Sequence, residues 1–146
     1  MPSARPRRPG PLRAQGEIQG GTWPPVPRPR VVLDANALLL PFQFQINLDA
    51  ELARVVGGCD VYVPASVVRE LERLAAKSRR AKAALALAAR YARYETDRLG
   101  DLAVIAAAEA LGASVATNDR GLLTALRGRG IPRIRLRGKS HLVLEP

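Results

Sequence analysis

The sequence predicts a three-layer α/β domain, with helices covering both faces of a central, mainly parallel sheet of about four to five strands. Short, nearly continuous apolar segments alternate along the chain with longer segments of helical periodicity, which is typical of parallel strands buried between helices. Aromatic residues make up only 4% of the chain, so Leu, Val, Ile and Ala must form the core. The 146 residues suffice for one ordinary domain.

The individual elements follow from the local patterns. Four short apolar runs predict strands at residues 31–33, 61–63, 115–117 and 134–136. Helical periodicity predicts helices at 49–56, after Ser66, and at 79–94, 101–111 and 120–126. Ser66 is the predicted N-cap of the helix that follows it. One face of that helix carries Val67, Leu71 and Leu74.

Residues 1–30 differ in composition from the rest of the chain. They hold eight of the 12 prolines, four of the 12 glycines and six arginines, against one acid, Glu17. Such a segment has too little apolar surface to offset the entropy of ordering, and its prolines disfavour helix and strand pairing. We expect a disordered basic arm at 1–30 and a folded domain at 31–146. An arm that binds RNA or a ribonucleoprotein, an inert tail and a misplaced start codon all remain open.

Charge and composition narrow the chemistry. There are 23 Lys and Arg against 13 Asp and Glu, a net charge of +10, which favours a polyanionic partner, either nucleic acid or an anionic surface. One cysteine, Cys59, excludes an intramolecular disulfide or a cysteine-clustered metal site, and one histidine, His141, excludes a multi-histidine site. Because no apolar run approaches roughly 20 residues and 1–30 lack the apolar stretch of a signal peptide, we expect a cytoplasmic protein without a membrane partner.

Four carboxylates follow strands or begin helices. Asp34 comes directly after the first strand, and Asp119 comes two residues after the third. Asp101 starts a helix, and Glu70 lies early in the helix that leaves the second strand. Parallel sheets bind ligands at the carboxyl ends of their strands, so these acids should converge on one edge. Taken singly, Asp101 and Asp119 could be helix caps and Glu70 a solvated side chain.

A cluster of carboxylates requires a cation or a proton. Two carboxylates ~4 Å apart repel by roughly 4 kcal/mol at an effective dielectric constant near 20, so the cluster must protonate or recruit a cation. Oxygen ligands without His or Cys select Mg²⁺ or Mn²⁺ over zinc or copper. A divalent ion held by carboxylates in a basic protein fits phosphodiester chemistry.

Four segments resemble, in the correct order, the sequence motifs of PIN-domain nucleases: 32–39 (VLDANALL), 63–71 (VPASVVREL), 100–105 (GDLAVI) and 116–122 (ATNDRGL). The resemblance runs from about residue 31 to 144. It implies a metal-dependent endoribonuclease that hydrolyses single-stranded RNA. It also implies that Asp34, Glu70, Asp101 and Asp119 are the catalytic ligands of one or two Mg²⁺ or Mn²⁺ ions.

The same resemblance implies supporting residues that orient the acids or bound water: Asn36, Thr117 and Asn118. Leu102 departs from the family pattern, because many relatives carry a second acid at its position. This departure counts against a complete two-metal site. Asp97 could compensate, although a solvated loop residue is the simpler interpretation.

Within the superfamily, segments 41–44 (PFQF) and 130–137 are most similar to archaeal PIN proteins related to small-subunit ribosomal RNA processing nucleases. That branch implies a role in ribosomal RNA processing, with RNA or a ribonucleoprotein as partner. The VapC-type toxin branch shares the acids and implies an antitoxin partner. A third alternative is a catalytically weak RNA-binding scaffold.

The C-terminal segment predicts a basic surface. Arg133, Arg135 and Arg137 alternate with apolar residues, so in a strand they share one face. We expect phosphate contacts from these three and from other basic residues near the carboxylate edge: Arg120, Lys139, Arg79 and Arg80. The alternative for the strand is an edge protected by charge against aggregation. The Ala- and Leu-rich stretch 81–92 would suit a homodimer contact or, equally, a contact within the chain.

Overall fold

A computed structural model describes residues 27–146, which form one six-stranded sheet with the order β3-β2-β1-β4-β5-β6. The strands are β1 (Arg30–Leu33), β2 (Asp60–Pro64), β3 (Ala92–Tyr94), β4 (Ser114–Ala116), β5 (Arg133–Arg137) and β6 (His141–Glu145). Strands β1 to β5 are parallel, and β6 runs antiparallel to β5.

Six helices, counted over the same residues, lie on the two faces of the sheet. They are α1 (Ala35–Phe44), α2 (Leu48–Val56), α3 (Ala65–Ala75), α4 (Arg79–Ala88), α5 (Gly100–Leu111) and α6 (Arg120–Gly128). The predicted three-layer α/β fold with a mainly parallel sheet is confirmed. No helix of 27–146 is long and apolar enough to span a membrane.

Strand β1 lies at the centre of the sheet. Its Val31, Val32 and Leu33 are completely buried, as expected for a strand covered on both faces. Val32 is in register with Tyr62 of β2 on one side and with Val115 of β4 on the other. The carboxyl ends of these neighbouring parallel strands therefore meet at one edge of the sheet.

The sheet has more strands than the four to five predicted. Residues 92–94, predicted as the end of a helix, form β3, which pairs with β2. Helix α4 ends at Ala88, because the pairing of a three-residue strand overrides the helical propensity of an Ala-rich segment. Strand β6 was not predicted either. The buried face of α4 (Ala81, Ala84 and Ala88) packs within the chain, and a homodimer stays a prediction.

Two helix starts differ from expectation. Helix α1 was not predicted, since it contains Pro41, which cannot donate a backbone hydrogen bond. Helix α3 begins at Ala65 immediately after β2, and its N-cap is Pro64, which provides no side-chain hydrogen bond. The prediction that Ser66 is an N-cap is therefore wrong. Its hydroxyl is buried without a hydrogen-bond partner among the described residues.

Strand β6 forms one edge of the sheet, and helix α2 covers part of that edge. Glu51 accepts a hydrogen bond from the backbone N–H of Leu142 at 2.8 Å, and Arg54 donates one to the carbonyl oxygen of Leu142 at 2.6 Å. Glu51 and Arg54 also pair with each other at 2.9 Å. The two side chains thus occupy backbone groups that an edge strand would otherwise leave unpaired.

Two arginines of segment 1–30 contact the folded part of the chain. Arg30 begins β1 and donates to the carbonyl oxygen of Leu111 at the end of α5. Arg28 pairs with Asp60 at 3.0 Å. Both arginines therefore belong to the folded domain. Residues 1–26 lie outside the described part of the chain, and for them the arm stays a prediction.

Candidate active site

The four predicted carboxylates line a single cleft of about 210 Å³ at the carboxyl edge of the parallel strands: Asp34, Glu70, Asp101 and Asp119. They come from four elements. Asp34 follows β1, Glu70 lies on α3, Asp101 lies in the first turn of α5, and Asp119 precedes α6. The predicted convergence of these residues is thus present in the fold.

Asp34 is the most enclosed of the four acids, with 8% of its surface exposed. Its Oδ1 accepts a hydrogen bond from the backbone N–H of Ala37 at 2.8 Å and so caps α1. Its Oδ2 accepts one from the hydroxyl of Thr117. Burial raises the pKa of Asp34 from 3.8 to about 7; these hydrogen bonds oppose the shift, and the negative charges of Asp119 and Asp101 add to it. A carboxylate oxygen has two lone pairs, so both oxygens retain capacity for a cation.

Asp119 is also linked to Thr117 and caps a helix. Its Oδ1 caps α6 by accepting from the backbone N–H groups of Gly121 at 2.9 Å and Leu122 at 3.3 Å. Its own backbone N–H donates to the Thr117 hydroxyl oxygen at 3.1 Å. The capping alternative is therefore true for Asp119, and capping does not remove it from the cleft. The same holds for Asp34.

Asp101 and Glu70 complete the cleft from the other two helices. Asp101 is exposed and makes no capping hydrogen bond, so the capping interpretation is wrong for this residue. Partial loss of hydration at its carboxyl raises the pKa of Asp101, and the negative charge of Asp119 adds to the shift. Glu70 is half-buried in the second turn of α3 and faces the same cleft.

The predicted supporting residues connect the strand ends beneath the acids. The side-chain oxygen of Asn36 accepts a hydrogen bond from the backbone N–H of Asn118 at 3.0 Å, which links α1 to the end of β4. The side-chain oxygen of Asn118 accepts from the backbone N–H of Leu136 at 3.2 Å, which links β4 to β5. With Thr117, they fix the relative positions of three strand ends.

The donor set of the cleft suits a hard cation. Every titratable side chain that lines it is a carboxylic acid, and mutual repulsion contributes to the raised pKa values of Asp34 and Asp101. A bound divalent cation would relieve that repulsion. Within residues 27–146, however, no three His, Cys, Asp or Glu side chains stand close enough to hold a metal as they are. The residues therefore fit Mg²⁺ or Mn²⁺ in type, and binding requires the acids to draw together.

Apolar side chains form much of the remaining cleft wall: Leu39, Val67, Leu74 and Val104. The periodicity of α3 places Val67 and Leu74 on one face of the helix but does not show that this face lines a cleft. Leu74 is 43% exposed and so lies at the cleft rather than in the core. Leu102 is 56% exposed and does not line the cleft, and neither does Asp97. Among residues 27–146, the cleft is lined by no acid other than the four already named.

The predicted basic strand is only partly available to a ligand. Arg133 is 6% exposed, and its guanidinium donates to the carbonyl oxygens of Ile131 at 2.9 Å and Pro146 at 3.0 Å. Arg135 donates to Glu145 at 2.7 Å, and the Arg135 hydrogen bond lowers the pKa of Glu145. The prediction that Arg133 binds phosphate is wrong, because β6 covers it. Arg135 is half-buried in an ion pair.

The other predicted phosphate-binding residues are exposed: Arg137, Lys139, Arg120, Arg79 and Arg80. Arg120 directly follows Asp119 of the cleft. Arg79 and Arg80 begin α4, and Arg137 and Lys139 lie at and just beyond the carboxyl end of β5. Their contact with RNA stays a prediction.

An α/β sheet with four acids at its carboxyl edge is the arrangement that the sequence motifs implied, and comparison with known proteins agrees. The model of the PIN like domain family matches residues 31–139. The chain belongs to this family. Ribonuclease VapC9 of Archaeoglobus fulgidus is 35% identical over 106 residues, which cover 69% of this chain and 78% of that protein. The solved structure of the PIN domain endonuclease Utp24 superposes with a TM-score of 0.69 at 25% identity, covering 80% of this chain and 90% of that one.

Proposed function

We propose that the chain is a divalent-metal-dependent endoribonuclease that hydrolyses phosphodiester bonds of single-stranded RNA. The observation that carries this proposal is the convergence of four carboxylates, from four separate elements, on one cleft of about 210 Å³. Membership of the PIN-like family supports it, as do a relative named as a ribonuclease and a similar structure named as an endonuclease.

The four acids would hold one or two Mg²⁺ or Mn²⁺ ions. When bound, such an ion lowers the pKa of its water and offsets charge that develops on the phosphate. The remaining contributions come from side chains of the protein. Thr117 holds Asp34 in one orientation through the hydrogen bond from its hydroxyl.

The physiological RNA is proposed from the sequence resemblance. Segments 41–44 and 130–137 favour ribosomal RNA processing, with RNA or a ribonucleoprotein as partner. The similarity to Ribonuclease VapC9 favours the second candidate, a toxin ribonuclease with an antitoxin partner. An acidic or DNA-binding protein encoded beside this gene would favour the toxin.

Cleavage of a labelled single-stranded RNA by the full chain tests the activity. The Asp34→Asn variant is nearly isosteric and removes one charge from the cleft. We expect it to lose at least about 2–3 kcal/mol of transition-state stabilisation, a rate loss of roughly 30-fold or more. Asp97→Asn is the matched control, because Asp97 is exposed and lies outside the cleft.

Chelation of divalent ions should abolish cleavage, and added Mn²⁺ or Mg²⁺ should restore it. Equal cleavage by the wild type and by Asp34→Asn would mean either a contaminating nuclease or a wrong site. RNA binding without cleavage at any metal concentration would leave the RNA-binding scaffold as the function.

A further inference from the structure

A second groove, of about 630 Å³, opens beside the carboxylate cleft, between α6 and the β5–β6 pair. Most of its lining residues are polar, and they include three arginines and one acid. The polar residues are Asn118, Arg120, Thr124, Arg127, Arg135 and Glu145. Its one acid already pairs with Arg135 and Arg133. The groove therefore carries a positive charge that the acid does not neutralise.

Arg120 and Arg127 are the arginines available to a ligand. Both are exposed, and neither makes an ion pair with another described residue, unlike Arg129 at the end of the same helix, which pairs with Glu109 at 3.1 Å. They lie seven residues apart on α6, about 10 Å along the helix axis. Thr124 lies between them and also lines the groove. Arg120 and Arg127 thus form one cationic row along one face of α6.

This row begins at the carboxylate cleft. Asp119, which lines the cleft, and Arg120, which lines the groove, are consecutive residues. Asn118 lines the groove, and its backbone N–H is held by Asn36, which lines the cleft. A chain of phosphates bound at the acids would therefore reach Arg120 and Arg127 next.

We infer that the groove along α6 is a second binding site for the RNA strand, in which Arg120 and Arg127 hold backbone phosphates flanking the bond at the carboxylate cleft. This inference rests on the proposed function, since it takes the substrate to be RNA. Arg127 was not among the residues expected to bind phosphate. In this arrangement Arg120 and Arg127 on α6, rather than the buried Arg133 of β5, bind the substrate next to the acids.

A pair of adjacent substitutions on α6 tests the groove without removing an arginine. Thr124→Glu places an acid between Arg120 and Arg127, whereas Ala125→Glu makes the same charge change at an exposed residue that does not line the groove. Both are made in the full-length Asp34→Asn background, so that a fluorescent single-stranded RNA stays intact. Affinity is measured against salt concentration, and thermal unfolding verifies that each variant is folded.

We expect Thr124→Glu to weaken RNA binding and to make the slope of log K against log salt shallower by about 1.4, which is 0.7 for each of two phosphates. Ala125→Glu should keep the slope of its parent. The inference is overturned if both variants keep that slope or if both lose the same amount, since a uniform loss reflects net charge alone.

Charge removal provides an independent check with a matched pair of double variants. Arg120→Gln with Arg127→Gln should reproduce the loss of slope. Arg90→Gln with Arg129→Gln removes two exposed arginines that pair with Asp49 and Glu109 instead and should not. Failure of the nuclease proposal gives a different result. If the wild type cleaves no RNA but the groove variants still bind RNA more weakly, the nuclease proposal fails and the inference about the groove holds. Cleavage by the wild type with unimpaired groove variants overturns the groove alone.

Discussion

The hydroxyl of Thr117 donates a hydrogen bond to the carboxylate of Asp34, although 83 residues separate them in the sequence. The same hydroxyl oxygen accepts from the backbone N–H of Asp119 at 3.1 Å. One small side chain at the end of β4 therefore sets the positions of two cleft acids relative to each other.

Removing that hydroxyl should impair cleavage. Thr117→Val keeps the shape of the side chain and deletes the bond, which costs about 2 kcal/mol for a hydrogen bond to a charged group. We expect roughly 30-fold lower kcat/KM on single-stranded RNA. Thr117→Ser keeps the hydroxyl and should recover most of the activity. A valine variant as active as the serine variant would show that Thr117 does not position Asp34.

The contribution of Asp34 to stability without metal should fall as pH rises. The pKa of Asp34 is about 7 in the folded chain, against an ordinary 3.8, so between these values the folded state binds more protons than the unfolded state. The contribution is fully present below about pH 4 and is lost as pH rises through about 7, with a slope of up to about 1.4 kcal/mol per pH unit. Asp101 shifts in the same direction.

Urea unfolding in a chelator measures this loss. Between about pH 4 and about pH 8, the wild type should lose stability relative to Asp34→Asn, which cannot ionise at that position. Parallel stability curves for the two proteins would contradict the raised pKa of Asp34.

A divalent ion should reverse the effect. Mn²⁺ that binds only the folded chain stabilises it by about 2.7 kcal/mol at a hundredfold excess over Kd, and above pH 7 it also relieves the repulsion between Asp34 and Asp119. We expect a Mn²⁺-dependent rise in Tm that is larger at high pH and smaller in Asp119→Asn. Titration calorimetry supplies the stoichiometry, and a wild type that takes up no Mn²⁺ would remove the metal from the proposal.

The contact between α2 and the edge strand β6 should affect the stability of the fold. Glu51→Ala leaves the backbone N–H of Leu142 without its partner, at a cost of about 1 kcal/mol. The control is Glu109→Ala, since the pair that Glu109 makes with Arg129 is exposed, and exposed ion pairs contribute little to stability. Denaturant unfolding should separate the two variants, and equal stabilities would mean that α2 does not secure this edge.

The cleft could be predicted largely because its acids stand beside strong local patterns. Asp34 ends a fully apolar run, and Asp119 follows another, so the geometry of a parallel sheet was enough to bring them to one edge. The rest of the cleft depends on packing between helices. Leu39 and Leu74 look like core residues in the sequence, and only the contact of α1 with α3 reveals the cleft that they line.

The arginine strand and β3 show where sequence patterns are insufficient. Alternation correctly placed Arg133 and Arg135 on one face, but their availability depends on Glu145, which reaches them through the antiparallel pairing of β6. Residues 92–94 continue an Ala- and Leu-rich segment without a glycine or proline to mark its end. Their strand state comes from pairing with β2, a tertiary contact that local periodicity does not register.

The distance along the chain between Asp34 and Thr117 has a consequence for synthesis. Translation produces β1 and its acid long before β4 and α6, so a ribosome-bound or truncated product that stops short of residue 114 has neither Thr117 nor Asp119. Such a fragment holds at most three of the four carboxylates and lacks the side chain that aligns Asp34. Products that stop before residue 114 therefore lack part of the cleft.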